Sequence, residues 1–225
     1  MGERRLKGRT IMSGNLVKYK KYDSSYEKEV LKVFTEAFVN YPLFYNIFED
    51  DFKTKEKFLA CYEKIMKGIF KATIRKDACY IGFKDGQVAS IVIVESPENK
   101  PIGVWDYTVS GMPGIMMMLG LKKTFQFMEI SERTELVVKS IKGPRWHLYF
   151  LAIDPKLQGK GIGTDAIRNF VIPLVKKHNG KLITVTTNSE KNVSFYINNG
   201  FSLVEEETIA FNEKSIGNWT FRMDL

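Results

Sequence analysis

Cysteine, histidine and long apolar runs are all scarce in this chain. Its 225 residues hold two cysteines, Cys61 and Cys79, and two histidines, His147 and His178. With no Cys-x-x-Cys pair, a zinc site has little to be built from, and no metal is expected. Each thiol has apolar or aromatic neighbours (Leu-Ala-Cys-Tyr and Ala-Cys-Tyr). That setting reads as two buried free thiols in a reducing compartment such as the cytoplasm. A disulfide or a catalytic thiol is the less economical alternative. The longest apolar stretch, Gly114 to Leu121, falls far short of the roughly 20 residues a membrane-spanning helix needs. The first 21 residues are basic without an apolar centre, so they do not read as a secretory signal. Residues 1–14 read as a flexible basic leader, and 15–225 as one domain.

Hydrophobic residues make up 44% of the chain, enough to build a core. The net charge is +8. Such a charge suits nucleic acid, an anionic surface or a polyanionic ligand. No dense Lys/Arg block follows the leader, so nucleic acid is not the expected partner. Most of the charge reads as a solvated surface, with a small share aimed at phosphates.

Periodicity separates the elements. A short strand is expected at Leu16 to Tyr19. Tyr26 to Val39 has helical spacing, with Ser24 and Ser25 as caps and Asn40-Tyr41-Pro42 as the stop. Phe52 to Lys71 repeats that spacing. Ala78 to Phe83 and Val88 to Glu95 read as strands of a hairpin through Lys84-Asp85-Gly86. Met112 to Val138 reads as a helix broken near Gly120, with Met116, Met117 and Met118 as core filler. Trp146 to Ile153 and Leu182 to Thr187 are strands around a helix, Gly163 to Lys177, that Pro173 should kink. A short helix, Asn192 to Asn198, ends at Gly200. Phe201 to Phe211 and Asn218 to Met223 close the chain as strands. Early hairpins and a late strand–helix–strand unit give a mixed α/β sheet with helices on both faces.

The most informative stretch runs from Leu148 to Thr164. It passes from a strand through a turn and a glycine-rich loop into a helix. Gly159, Gly161 and Gly163 let successive N–H groups converge on one spot. The helix start adds unpaired N–H groups and the positive end of its dipole. Together they suit a phosphate or pyrophosphate, and Lys160 adds charge. A tight turn without a ligand explains such a loop equally well. The P-loop pattern fails because Gly161 follows Gly159-Lys160. The dinucleotide pattern Gly161-x-Gly163-x-x-Ala166 fits, but Leu182 to Thr187 lacks the acidic residue it requires.

A second run, Phe195-Tyr196-x-x-x-Gly200-Phe201, follows the next strand. Gln158-x-x-Gly161-x-Gly163 and this run, in that order, resemble the two signatures of the GCN5-related N-acetyltransferases (GNAT). The Asn192-x-x-Phe195-Tyr196 run, Trp219 in the last strand and Ala37-Phe38-x-x-Tyr41-Pro42 are similar to puromycin N-acetyltransferase-like members. Thr186 stands where those members carry a glutamate, so puromycin itself is not the expected substrate.

The resemblance implies a single-domain GNAT fold. Its mixed, mostly antiparallel sheet is splayed between the fourth and fifth strands, with acetyl-CoA in the cleft. By the family pattern, Leu151, Ala152 and Ile153 offer backbone groups to the pantetheine arm. Gln158, Gly159, Lys160, Gly161, Ile162, Gly163 and Thr164 hold the pyrophosphate, and Asn192 faces the cofactor. Tyr196 sits near the sulfur as general acid, although a tyrosine packed on the sheet is the plainer alternative. A strand-edge N–H near Ile153 stabilises charge on the carbonyl oxygen. Tyr41, Phe44, Tyr45 and Glu49 are candidates for the acceptor site, where aromatics and carboxylates suit a cationic amine. An exposed acidic turn explains Glu49, Asp50 and Asp51 as well, and His147 can face either way. The expected activity is acetyl transfer from acetyl-CoA to a small primary amine by direct attack in a ternary complex. The alternative is a non-catalytic domain of the same fold that binds coenzyme A or a protein.

Overall fold

The computed structural model describes residues 17–48, 52–100, 102 and 104–225. The expected leader at 1–14 and the Glu49-Asp50-Asp51 cluster lie outside them. Asp23, rather than Ser24 or Ser25, caps the first helical segment. Its carboxylate accepts the Ser25 N–H at 2.8 Å and starts a 3-10 turn, Ser24–Tyr26, that leads into α1 (Glu27–Phe38). Aspartate caps as well as serine does. Pro42 stops α1 as expected but also begins α2 (Pro42–Phe48), because its fixed φ suits a first helical turn. Thr54 caps α3 (Lys55–Thr73), accepting the Lys57 N–H at 3.3 Å.

The first strands are β1 (Lys18–Lys21), β2 (Ala78–Lys84) and β3 (Gln87–Glu95). Asp85 and Gly86, at φ 51 and 77, make the hairpin turn between β2 and β3. Among the described residues four helices then precede β4 (Trp146–Ile153): α4 (Val104–Val109), α5 (Met112–Leu119), α6 (Leu121–Thr134) and α7 (Leu136–Ser140). The break at Gly120 (φ 80) is as expected. The core role expected for Met116 to Met118 is not. Met112 and Ile115 take the inward positions, and Met117 is 88% exposed. Three consecutive residues spread over about 200° of a helix, so they do not all face inward.

After β4 come α8 (Ile162–Asp165), a π-helical stretch (Ala166–Val171) and α9 (Ile172–Lys177). The irregularity expected at Pro173 is therefore a π turn just ahead of it. The chain ends with β5 (Leu182–Thr187), a 3-10 turn at Glu190–Asn192, α10 (Val193–Asn198), β6 (Ser202–Phe211) and β7 (Lys214–Asp224).

Among the described residues seven strands form one sheet in the order β1-β2-β3-β4-β5-β7-β6. Only β4 and β5 run parallel. Alternate residues of β3 go to opposite faces. Ile91 and Ile93 pack with Phe34 and Phe70 of α1 and α3 on one face. Val92 and Val94 pack with Ile167, Val171 and Val185 on the other.

The β4–β5 pairing is short. It consists of Trp146 opposite Ile183 and His147 opposite Thr184. Immediately afterwards β4 carries an extra residue: Leu148 faces Val94 and Phe150 faces Ile93, which leaves Tyr149 as a bulge. A bulge bends its strand and ends regular pairing. Beyond it β4 follows β3 to Ile153, while β5 follows β7 to Thr187. A wedge opens between them, as expected for the fourth and fifth strands.

Asn218 on β7 fastens α6 to this sheet. Its Nδ2 donates to Thr134 O (3.2 Å) and Glu207 Oε1 (2.7 Å), and its Oδ1 accepts from Asn188 Nδ2 (3.0 Å). It is 1% exposed. Asn218→Ala leaves the buried Thr134 carbonyl without this donor, and we expect a loss of about 1–3 kcal/mol in urea unfolding. An unchanged midpoint would mean that the Asn218 bonds do not fasten α6.

Candidate functional site

The wedge exposes one edge of β4. The Asp154 N–H donates to Ala89 O on β3 at 3.0 Å. The trans peptide therefore turns the Ile153 carbonyl the other way, into the wedge. Strand alternation puts the main-chain groups of Leu151 on that same edge and those of Ala152 toward β3. Gln158 Nε2 donates to Ile153 O at 3.2 Å, so this side chain fastens the glycine loop to the strand end.

In that loop Gly159 and Gly161 have φ of 75 and 82, a conformation that costs an L-residue strain. None of the backbone N–H groups from Gly159 to Thr164 finds a backbone acceptor among the described residues; Asp165 is the first to bond back, to Gly161 O at 2.9 Å. Lys160 is exposed beside them, and Ile162 is buried. A Cβ on Gly163 would come within 3.0 Å of the Phe195 ring. This close approach holds the loop's helix against α10. Thr164 Oγ1 accepts a longer bond from Asn199 Nδ2, 3.4 Å.

A polar network stands at the far end of β5. Thr187 Oγ1 accepts from Asn192 Nδ2 at 3.0 Å and lies 3.3 Å from the Tyr41 hydroxyl. That hydroxyl accepts the Asn188 N–H at 2.7 Å. Tyr196 lies behind it, buried against Phe195, Phe201 and Phe221. Burial pushes its phenol above the ordinary tyrosine range, and the neighbouring Tyr41 adds to the shift. Of the acceptor-site candidates, Tyr41 reaches this network. Phe44 is buried against Phe38 and Tyr62. Tyr45 turns to Phe58 along a surface groove with Phe52 and Thr54. Glu49 lies outside the described residues. Both cysteines are buried, and burial pushes the Cys79 thiol up to about 12.

Residues 117–214 match the family model for an acetyltransferase (GNAT) domain. A GCN5-related N-acetyltransferase from Rhodopseudomonas palustris superimposes over 97% of this chain and 100% of its own, with TM-score 0.55 and 14% identity. This is the GNAT fold. A Drosophila melanogaster polyamine N-acetyltransferase covers 93% of this chain and 100% of its own (TM-score 0.54, 13% identity). A GNAT family acetyltransferase from Elizabethkingia anophelis, solved with acetyl-CoA bound, covers 94% and 100% (TM-score 0.50, 11% identity). No curated protein sequence matches. The GNAT model spans both glycine-loop and Phe195-Tyr196 signatures. From β1 to α4 the likeness to the GNAT fold rests on structure alone.

Two ionisable groups meet at the closed end of the wedge. His147 is buried, with Nδ1 3.0 Å from Thr184 Oγ1 and Nε2 3.7 Å from Glu135 Oε2. Burial lowers His147 to about 4. It raises Glu135 to about 7 against the opposing charges of Lys139 and Arg145. Glu135 sits between α6 and α7 and carries no motif spacing; a run of helical glutamates hides it in the sequence. Among the described residues no cluster of His, Cys, Asp and Glu could hold a metal ion, and no helix is long and apolar enough to cross a membrane.

The pair acts on stability in opposite senses. Folding raises Glu135 from 4.5 to about 7, so its contribution falls as pH rises across that window. Folding lowers His147 from 6.5 to about 4, so its contribution falls as pH drops across its own window. The two slopes oppose between pH 4.5 and 6.5. Glu135→Gln leaves the histidine slope alone, so the variant should lose stability more steeply than wild type on acidification through that range. Urea unfolding at three pH values checks this; parallel slopes would refute it.

Proposed function

We propose that the chain is an acetyl-CoA-dependent N-acetyltransferase acting on a small primary amine, with direct attack while both substrates are bound. The observation that carries this reading is the parting of β4 and β5 beside a loop of unpartnered N–H groups. The donor set fits the cofactor: Gly159 to Thr164 offer converging N–H groups, and the β4 edge at Leu151 and Ile153 offers backbone groups to an extended amide-bearing arm. Lys160 adds positive charge for the pyrophosphate. When bound, acetyl-CoA supplies an activated acetyl thioester.

The chain's own residues divide the remaining work. The Ile153 N–H lies on the wedge edge, where it can donate to the carbonyl oxygen as negative charge develops there. Tyr196 is a poor proton donor, because a phenol held above its ordinary range is a weaker acid than a thiol of pKa about 8.5. We assign it a hydrogen bond to the leaving sulfur instead. Asn192 holds Thr187 and, through it, Tyr41 at the mouth. The buried, shifted thiol of Cys79 gives no support to a covalent cysteine route. Small amines are favoured as acceptors because structures of similar fold include an agmatine N-acetyltransferase and a polyamine N-acetyltransferase. Two buried cysteines suit the cytoplasm.

Isothermal titration with acetyl-CoA, followed by thiol release across a panel of amines, tests the reading. Gly161→Val puts a β-branched residue at φ 82 on an exposed turn. The strain of about 1–2 kcal/mol should reshape the loop and weaken acetyl-CoA binding about tenfold or more. Absence of any acetyl-CoA binding by the wild type would overturn the reading. Tyr196→Phe should leave that affinity intact and reduce turnover about 10- to 100-fold, the worth of one hydrogen bond to a charged group. An unaltered kcat would remove Tyr196 from the sulfur.

A further inference from the structure

Alternate residues of a strand share a face. On β5, Thr184 and Thr186 therefore lie on the α6–α7 side, and on β7 so do Asn218 and Thr220. Thr186 and Thr220 stand opposite each other in register. Their hydroxyl oxygens are buried and have no hydrogen-bond partner among the described residues; Thr220 as a whole is 1% exposed. Their neighbours are satisfied. Thr184 bonds His147 and Asn218 bonds Thr134 O. Asn218 holds Thr134 on one side of the threonine pair, and on the other side His147, bonded to Thr184, lies 3.7 Å from the Glu135 carboxylate. Glu135, the residue after Thr134, is thus suspended over the pair. Ser131 Oγ and Arg145 Nε, from the same helix and the lead into β4, are buried and unpartnered as well. Unpaired buried polar groups are costly to keep, and here they cluster.

The histidine beside Glu135 sharpens the point. Thr184 has one hydroxyl proton, which it donates to Trp146 O at 3.3 Å. His147 Nδ1 must then be the donor to Thr184. That tautomer leaves Nε2 as an acceptor, 3.7 Å from a Glu135 oxygen. With Glu135 ionised, two acceptors face each other with no proton between them. A nitrogen donor sitting about 2.8 Å from each satisfies both. The Glu135 side chain keeps 26% of its surface, so it is reachable. Among the described residues it forms no ion pair with Lys139 or Arg145. The other ionisable groups whose fields reach this corner are Tyr41, Tyr107, Tyr149, Asp77 and Glu95. Asp77 is already held by Asn99 Nδ2 at 3.0 Å.

Resting on the acetyltransferase reading, we propose that this recess binds the ammonium group of the acceptor through Glu135, His147 Nε2 and the Thr186–Thr220 hydroxyls, and that Glu135 takes its proton. The recess lies at the closed end of the wedge, and β4's free edge runs out from it. The nitrogen loses two protons in all. One passes to Glu135 and then to solvent, which leaves the lone pair that forms the C–N bond. The other ends on the sulfur as the C–S bond breaks. A carboxylate near 7 is well matched to the first transfer at neutral pH.

The test compares wild type, Glu135→Gln, Glu135→Asp and the control Glu132→Gln, whose parent side chain is 73% exposed. Circular dichroism melts establish that each is folded. Acetyl-CoA affinity is read by calorimetry. Turnover and its pH profile are read by thiol release with agmatine, spermidine, an aminonucleoside, an amino acid and a short peptide. The expected result is unchanged acetyl-CoA affinity in every variant and a loss of about 100-fold or more in kcat/KM for Glu135→Gln. The variant should lack the limb near pH 7, Glu135→Asp should recover part of the rate, and the control should match wild type. Wild-type kcat/KM in folded Glu135→Gln would overturn the proposal. If wild type binds acetyl-CoA but turns over none of the panel, the same amines are titrated onto the coenzyme A complex. Amine binding that Glu135→Gln weakens tenfold or more supports the recess; equal binding in both, or none, refutes it. Failure of wild type to bind acetyl-CoA would instead defeat the acetyltransferase reading, and amine titration onto the free protein would then decide the recess alone by the same two outcomes.

Discussion

Two parallel strands that pair for only two residues set the terms for everything else in this molecule. Trp146 and His147 hold β4 to β5, and the Tyr149 bulge then turns β4 away. A continuous sheet would have covered the β4 edge with a neighbour's hydrogen bonds. Parted, it leaves the main-chain groups of Leu151 and the Ile153 N–H on an unpaired edge, which an isolated edge strand does only at some hazard. The wedge is braced on both sides. Gln158 fastens the loop to Ile153, Gly163 packs against Phe195, and Tyr41 bonds the end of β5. A wedge fixed by backbone register and short bonds is preorganised, so a ligand entering it does not have to order it first.

The bulge also decides which side chains face which way. Because Tyr149 is inserted, Tyr149 and Phe150 both join the α1–α3 cluster, while Leu148 and Leu151 join the other. His147 keeps the α6–α7 side, where it meets Glu135. The helices between β3 and β4 thus do more than cover the sheet. The end of α6 brings a carboxylate to strands whose own side chains there are threonine and asparagine. Charge and hydroxyls are buried together where the strands part, and the surrounding cores are apolar. That contrast in polarity is what gives the wedge chemical character.

Much of the fold was legible because its signals are local. Turn residues at Asp85-Gly86, alternation in the strands and helical spacing depend on neighbours in the chain. Where the structure departs from local signals, the chain has chosen between local solutions. Pro42 could stop a helix or start one, and it does both. Asp23 outcompeted two serines as a cap. The Met116-Met117-Met118 run looked like core because its composition is apolar, but only packing against Gly68 and its surroundings fixed which face of α5 turned inward.

The sequence alone determined the glycine loop, since Gly159 and Gly161 are positions where only backbone freedom permits the turn. It also determined the order of loop and Phe195-Tyr196 helix, and so the resemblance that pointed to acetyl-CoA. Tertiary structure alone decided which residues share the wedge. Tyr41 comes to Thr187 from 146 positions away, and Asn218 reaches Thr134 across 84. Glu135 meets His147 only because α6 ends on β7 while the bulge in β4 follows at once. The physical reason is that a hydrogen-bonding turn is written in a few adjacent residues, whereas a buried polar corner is set by the packing of several elements. No spacing along the chain encodes that packing.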